Sequence, residues 1–195
     1  MSNAPSDWIV RWAHLVPPGS HVLDVACGSG RHVRWFAQRG NQVICIDRDE
    51  ASATPLREVA EVVVADIENG PWPLNGQQFD AVIVTNYLWR PLLPTLFGSV
   101  APGGVLLYET FAQGNEQFGR PSRADFLLQP GELLRGVNGQ LEVLGFESGR
   151  LESPTRVVQR IAARRPPLVA ADNTPALLPE AVGSLGRMAG SRGTA

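Results

Sequence analysis

The sequence predicts an α/β protein: an open, mostly parallel sheet with helices on both faces, closed at one edge by an antiparallel hairpin. Three observations point there. Between residues 7 and 111, short apolar runs rich in β-branched residues alternate with stretches of helical period. Those runs lack the polar alternate positions of a half-exposed strand, so the sheet is covered on both sides. Past residue 140 the pattern changes to two long strand-like runs around a turn.

The elements follow in order. Trp8, Ile9, Trp12, Leu15 and Val16 recur at helical spacing behind Asp7, a suitable N-cap, and Pro17-Pro18-Gly19 ends that helix. VLDVAC (22–27) is a buried strand. A glycine turn and a helix ending at Gly40 come next, with Val33, Phe36 and Ala37 facing inward. QVICID (42–47) is the second strand. Residues 49–59 form a helix that Pro55 shortens. EVVVAD (61–66) and FDAVIVTN (79–86) are the third and fourth strands. A helix from Pro91 to Val100, interrupted by Pro94, leads through a Pro102-Gly103-Gly104 turn to the fifth strand, 103–111. Residues 112–130 have no period and read as a loop over one end of the sheet. Residues 130–137 start a helix on Pro130, and 141–165 form the hairpin. One domain over 1–165 and a disordered tail over 166–195, rich in Ala, Gly, Pro and Ser, complete the division.

Composition narrows the chemistry. The 195 residues are 44% hydrophobic and 18% charged, with net charge −2, so no basic field argues for nucleic acid or an anionic membrane. All 17 basic residues are Arg. Without Lys there is no Schiff base, no lysine-anchored pyridoxal site and no Walker-A loop. Cys27 and Cys45, the only cysteines, both lie in apolar runs and read as buried free thiols; no metal site is expected. The N-terminus lacks the charged and apolar regions of a signal peptide, and no segment reaches the ~18–20 apolar residues of a membrane span. A soluble cytoplasmic protein is expected.

Acids gather where the strands end. Asp24 lies inside the first strand near its carboxyl end, ahead of Cys27-Gly28-Ser29-Gly30-Arg31-His32. Gly28 and Gly30 permit close backbone approach, and the crevice beyond the strand ends is where such sheets bind ligands. A third glycine, expected of a dinucleotide fingerprint, is replaced by Val33. A buried Asp24 needs a donor, which a ligand ammonium or a backbone nest would supply. Asp47 ends the second strand 17 residues after Gly30, where an acid accepts from ribose hydroxyls. The competing role, capping the next helix, is open equally to Asp49. Asp66 ends the third strand, with Ile67 beside it to cover a ring.

The runs VLDVACGSGRH, VICIDRD, VVVADIE, FDAVIVTNYL and VAPGGVLLYETF, in this order over about residues 20–112, resemble class I S-adenosylmethionine-dependent methyltransferases. The details are similar to the small bacterial tellurite-resistance, thiopurine-methyltransferase-like branch. Gly114-Asn115, Phe118-Gly119-Arg120-Pro121 and FLLQPGELL add to that likeness. The resemblance implies a Rossmann-like, doubly wound, seven-stranded sheet and S-adenosyl-L-methionine as cofactor. It implies Asp24, Ala26, Gly28 and Gly30 at the methionine moiety and Asp47 at the ribose. Arg48, Asp66 and Ile67 fall at the adenine, and Asn86 at the methionine or the substrate. Arg31 meets the cofactor carboxylate or lies on the helix surface. Ala26 stands where the family often has Gly, and Trp89 where it often has His.

The sulfonium methyl is already activated, so positioning and desolvation carry much of the catalysis, and a soft nucleophile needs no strong base. Glu109 is the best acid–base candidate, against a structural role as partner of Arg120 or Arg123, with Tyr87 the second candidate. Trp89, Phe111 and Phe118 would make the acceptor pocket aromatic. His32 reads as structural rather than catalytic, and Trp12 as core rather than lid. The expected acceptor is a small molecule or oxyanion. Other readings are a cofactor-binding regulatory pseudoenzyme, a protein or RNA methyltransferase, and an NAD-dependent reductase. The only support for nucleic acid is Arg156, Arg160, Arg164 and Arg165, which read as solvated strand edges. Oligomeric state is left open.

Overall fold

A computed structural model describes residues 4–168. The tail expected over 166–195 lies, from residue 169 on, outside the described residues. Seven strands form one sheet in the order β3-β2-β1-β4-β5-β7-β6. They are β1 (His21–Val25), β2 (Gln42–Asp47), β3 (Glu61–Val64), β4 (Phe79–Thr85), β5 (Val100–Phe111), β6 (Glu142–Glu152) and β7 (Thr155–Arg164). The first five are parallel; β7 pairs antiparallel with both β5 and β6. Strands are added to one side of β1 up to β3 and to the other side from β4 on, so β1, β2 and β4 end around one crevice, the topological switch point of such sheets.

Helices cover both faces. On one side α1 (Asp7–Trp12) and α2 (Arg31–Gln38) seat Trp8, Ile9, Trp12, Val33 and Phe36 on Val22, Cys45, Ile83 and Leu107. On the other, α4 (Leu93–Gly98) and α5 (Glu132–Val137) pack Leu93, Leu96, Phe97, Leu133 and Val137 on Leu23, Val82, Leu106 and Ile161. Trp12 is a core residue, as expected, at 2% exposure. The helix expected over 49–59 is α3 (Glu50–Ala53), followed by a 3-10 turn over Thr54–Glu58 in which Pro55 sits. Between β3 and β4 there is no helix; Ile67 and Leu74 cover that end of the sheet, with Trp72 packed against them.

One boundary moves. β5 begins at Val100, so Pro102-Gly103-Gly104 is an irregularity inside the strand rather than a turn before it. A Cβ on Gly104 would fall 2.9 Å from the carbonyl oxygens of Phe79, Asp80 and Ala101, so only glycine fits this bulge. The segment 112–130 holds two 3-10 turns and a bridge between Ala112 and Leu128. Buried Asn115 pins it, its Nδ2 donating to Pro121 O (3.0 Å) and its Oδ1 accepting from Val157 N (3.1 Å).

Candidate functional site

The carboxyl ends of β1, β2 and β3 build one rim. Asp24 lies between Cys45 of β2 and Ile83 of β4 and is 1% exposed. Its Oδ2 is buried and has no hydrogen-bond partner. Burial pushes its carboxyl up to about 8; Arg31 opposes the rise and the charge of Asp47 adds to it. Beyond Val25 the chain turns sharply. Ala26 and Gly28 take φ of 53° and 54°, and Cys27 N donates to Ile46 O (3.1 Å), tying the loop to β2. Nothing lies within 4 Å of the position a Gly28 Cβ would take, so the loop backbone is open to approach there. Gly30 precedes α2 at φ 76°, and a Cβ on it would fall 2.3 Å from Leu56 Cδ2. Both the left-handed backbone and the close packing require glycine.

Asp47 and Asp49 divide the two roles open to them. Asp49 caps α3, accepting from Ala51 N (3.1 Å) and Ser52 Oγ (2.6 Å). Asp47 instead accepts from Gly28 N (2.7 Å) and Asp49 N (2.9 Å), bracing the glycine loop with lone pairs to spare. Asp66 is exposed, and hydrogen bonds from Asn69 and Glu68 hold its carboxyl below the usual range. Ala26, Asp47, Arg48, Asp66, Ile67 and Tyr87 line a cavity of about 190 Å³. The Tyr87 hydroxyl is buried there without a partner, and burial, then the Glu68 charge, shift it upward, away from ionisation.

A second cluster lies over β4 and β5. Asn86 follows β4 at φ 56°, exposed, its N–H donating to Glu109 O (2.9 Å). Arg31 reaches across to Thr85 Oγ1 (3.5 Å). His32 is 1% exposed, and burial lowers its imidazole to about 3. Its Nε2 accepts from Ser6 N (3.1 Å), which leaves the proton on Nδ1, facing Thr85 Oγ1 at 3.5 Å. His32 therefore pins the N-terminal segment onto β4.

Glu109 has no exposed surface. One carboxylate oxygen accepts from Ser6 Oγ (3.1 Å) and an Arg156 guanidinium nitrogen (3.2 Å), the other from Arg160 (3.2 Å). Arg160 continues to Glu147, which also binds Arg11 (2.6 Å). The arginines expected beside Glu109 were others: Arg123 binds Asp125 instead. Nor are Arg156 and Arg160 solvated. Their side chains are 20% and 16% exposed, because α1 covers this face and Glu109 supplies the buried charge that draws them in. Arg165 caps α4, donating to the carbonyls of Phe97 and Val100.

The three aromatic residues expected around an acceptor differ in burial. Trp89 is half-buried against the α4/α5 core. Phe111 is half-buried at the end of β5. Phe118 is 42% exposed, with the Arg150 guanidinium 5.7 Å from its ring centre. The residues that sequence reasoning missed are Ser6, Thr85, Arg156 and Arg160. Alternation along 155–164 places Arg156 and Arg160 on one face, but nothing local says that this face is inward.

Residues 22–104 match a family model described as a methyltransferase domain. A malonyl-[acyl-carrier protein] O-methyltransferase of Serratia marcescens is 30% identical over 109 residues, 51% of this chain and 42% of the relative. A trans-aconitate 2-methyltransferase of Paracidovorax citrulli is 39% identical over 98 residues, 45% of this chain and 37% of the relative. The chain thus spans about two fifths of the length of these relatives. Among solved structures, TehB of Haemophilus influenzae superposes with TM-score 0.68 at 21% identity, over 84% of this chain and 63% of that one. A protein of Methanosarcina mazei gives 0.66 at 15% identity, over 84% and 99%. These structural likenesses establish the fold.

Proposed function

We propose, on the premise that residues 22–104 belong to the methyltransferase-domain family, that this chain transfers a methyl group from S-adenosylmethionine to a small acceptor. The observation that carries it is the orphaned Oδ2 of buried Asp24 beside the open backbone of Gly28. A buried carboxylate oxygen without a donor is costly, and a ligand ammonium relieves it. The rest of the rim fits the same ligand. Asp47 has lone pairs for ribose hydroxyls. Arg48, Asp66 and Ile67 line the cavity where an adenine fits, and the buried Tyr87 hydroxyl offers a hydrogen bond there. Ala26 and Gly30 shape the turn, and Asn86 faces the crevice from β4 at positive φ.

The bound cofactor supplies an activated methyl group. The chain's part is to hold donor and acceptor in line and exclude water. Glu109 is a positioning residue in this reading, since both of its oxygens are engaged by Ser6, Arg156 and Arg160. Tyr87 belongs to the adenosine end. Neither is left as a general base, which suits a nucleophile that is already anionic or soft. Relatives named for trans-aconitate and malonyl-[acyl-carrier protein] support a small or carrier-borne acceptor. We take 1–165 as the catalytic unit and Trp89 and Phe111 as outer walls of the acceptor side. Among the described residues no helix is long and apolar enough to cross a membrane; a cytoplasmic site of action suits the two free thiols.

Parallel calorimetric titrations with S-adenosylmethionine, S-adenosylhomocysteine and NADH test the reading. Binding of the first two and not the third is expected. Folded, ligand-free protein that binds neither sulfur compound would overturn it.

A further inference from the structure

We propose that Arg31 and Arg156 together hold a carboxylate of the methyl acceptor, so that the acceptor is a small organic acid; this rests on the methyl-transfer reading above. Position is the first argument. Arg31 opens α2 and reaches Thr85 at the end of β4, while Arg156 lies on β7 against Glu109 near the end of β5. Both therefore stand on the half of the crevice that the cavity by Asp47 and Asp66 does not occupy.

Spare donors are the second argument. Arg156 Nε is buried and has no partner. Arg31, half-buried, has no carboxylate in ion-pair contact among the described residues, and its one hydrogen bond is a long one to a hydroxyl. Leaving such donors unpaired costs stability, and a carboxylate satisfies planar guanidinium groups in pairs.

Charge is the third. Among the described residues Arg11, Arg31, Arg156 and Arg160 gather around two glutamates, Glu109 and Glu147, with Asp24 acting on Arg31 from β1. Burial works against the charge on Arg31; Glu109 and, less strongly, Asp24 offset this while Arg156 adds to it, so an added anion would help to hold the charge. Glu109 and Asp47 stand on the same rim, which disfavours a compact dianion such as phosphate, with both charges beside the arginines, relative to one anchored carboxylate whose second group lies further away.

One ligand chemistry here has two sources, because the cofactor also carries a carboxylate. The test separates them. Protein saturated with S-adenosylhomocysteine is titrated with short mono-, di- and tricarboxylates, with their amides and with inorganic phosphate. At least one acid should bind while its amide and phosphate do not. Arg156→Gln should weaken that acid roughly tenfold or more and leave S-adenosylhomocysteine affinity within about twofold, with Arg156→Lys recovering part of the loss. The proposal falls if no acid binds, or if amides or phosphate bind as well as acids. It falls too if Arg156→Gln weakens S-adenosylhomocysteine as much as the acid, which would assign the donors to the cofactor. Because acid against amide is read on the unmodified chain, a variant that fails to fold leaves the test intact. Failure of S-adenosylhomocysteine itself to bind is a separate result and defeats the methyl-transfer reading.

Discussion

Asp24→Asn probes the ammonium contact directly. The Asp24 carboxyl is 1% exposed, and burial raises it from 3.8 to about 8. That rise amounts to roughly 5–6 kcal/mol against ionisation in place. Between about pH 4 and 8 the folded chain keeps a proton that the unfolded chain has lost. The contribution of Asp24 to stability is therefore full below about pH 4 and is lost as pH rises through 8. An ammonium against Oδ2 reverses the preference, so ligand binding should ionise the carboxyl. At pH 6 a ligand amine, with pKa about 8, is already protonated, and binding should expel close to one proton. Titration of S-adenosylhomocysteine in two buffers of different ionisation enthalpy reads that proton. Asp24→Asn should abolish its release and weaken binding by roughly 1.5–3 kcal/mol, the range of a hydrogen bond to a charged group. Tight binding with identical heats in both buffers would refute the ammonium contact.

Other perturbations test the remaining parts. Asp47→Ala should cost roughly 1.5–3 kcal/mol in S-adenosylhomocysteine binding, through the ribose and the freed Gly28 N–H; unchanged affinity removes Asp47 from the site. Glu109→Ala leaves Arg156 and Arg160 facing each other and should destabilise the fold by about 3 kcal/mol, seen as a fall of roughly 6–12 °C in Tm. A Tm unchanged by that substitution contradicts the buried network. His32, lowered from 6.5 to about 3, confers stability above about pH 6.5 that is lost as pH falls through that window. Its slope opposes that of Asp24, so acid denaturation should steepen in Asp24→Asn and flatten in His32→Gln; equal slopes in all three proteins would sink both assignments.

Much of the rim at the ends of β1, β2 and β3 was legible because it is local. An apolar run ending in an acid, followed by glycines or a helix start, contains its own explanation, and Asp24, Asp47 and Asp66 came from that pattern. The parallel sheet covered on both faces follows from the alternation, whereas the order of its strands is set by long-range pairing. Legibility fails where long-range contacts decide. Arg156-Val157-Val158-Gln159-Arg160 has apolar neighbours on both faces, so period alone cannot tell which side is inward. Trp8 of α1, more than a hundred residues away, packs on Arg160, and Glu109 and Glu147 pair the arginines of that face. The placing of Tyr87 was not legible for a different reason: Asn86 at positive φ turns the chain after β4, and the next side chain lines the cavity with Asp66. The segment 65–78 holds Pro71 and Pro73, which deny it the helix that the alternation invites.

The two halves of the rim differ in charge, and that difference constrains the acceptor. Asp47 and Asp66 line the cavity proposed for the cofactor's adenosine and buried Asp24 is proposed to meet its ammonium, whereas Arg31 and Arg156 lie toward the ends of β4 and β5. Joining a cationic methyl donor to an anionic nucleophile neutralises charge in the transition state, so a dry crevice favours the reaction. A guanidinium bound directly to the attacking oxygen would hold its charge and slow that step, because such binding is stronger before the transition state than in it. The arginines are better placed as an anchor on a carboxylate that does not react. An acid with a second nucleophilic group fits both demands, anchoring by one end and presenting the other in line. Among the acids that bind, those with a second carboxylate or a thiol should therefore turn over, and simple monocarboxylates should bind without being methylated. Methylation of monocarboxylates as fast as the bifunctional acids would show that the arginines bind the reacting group itself.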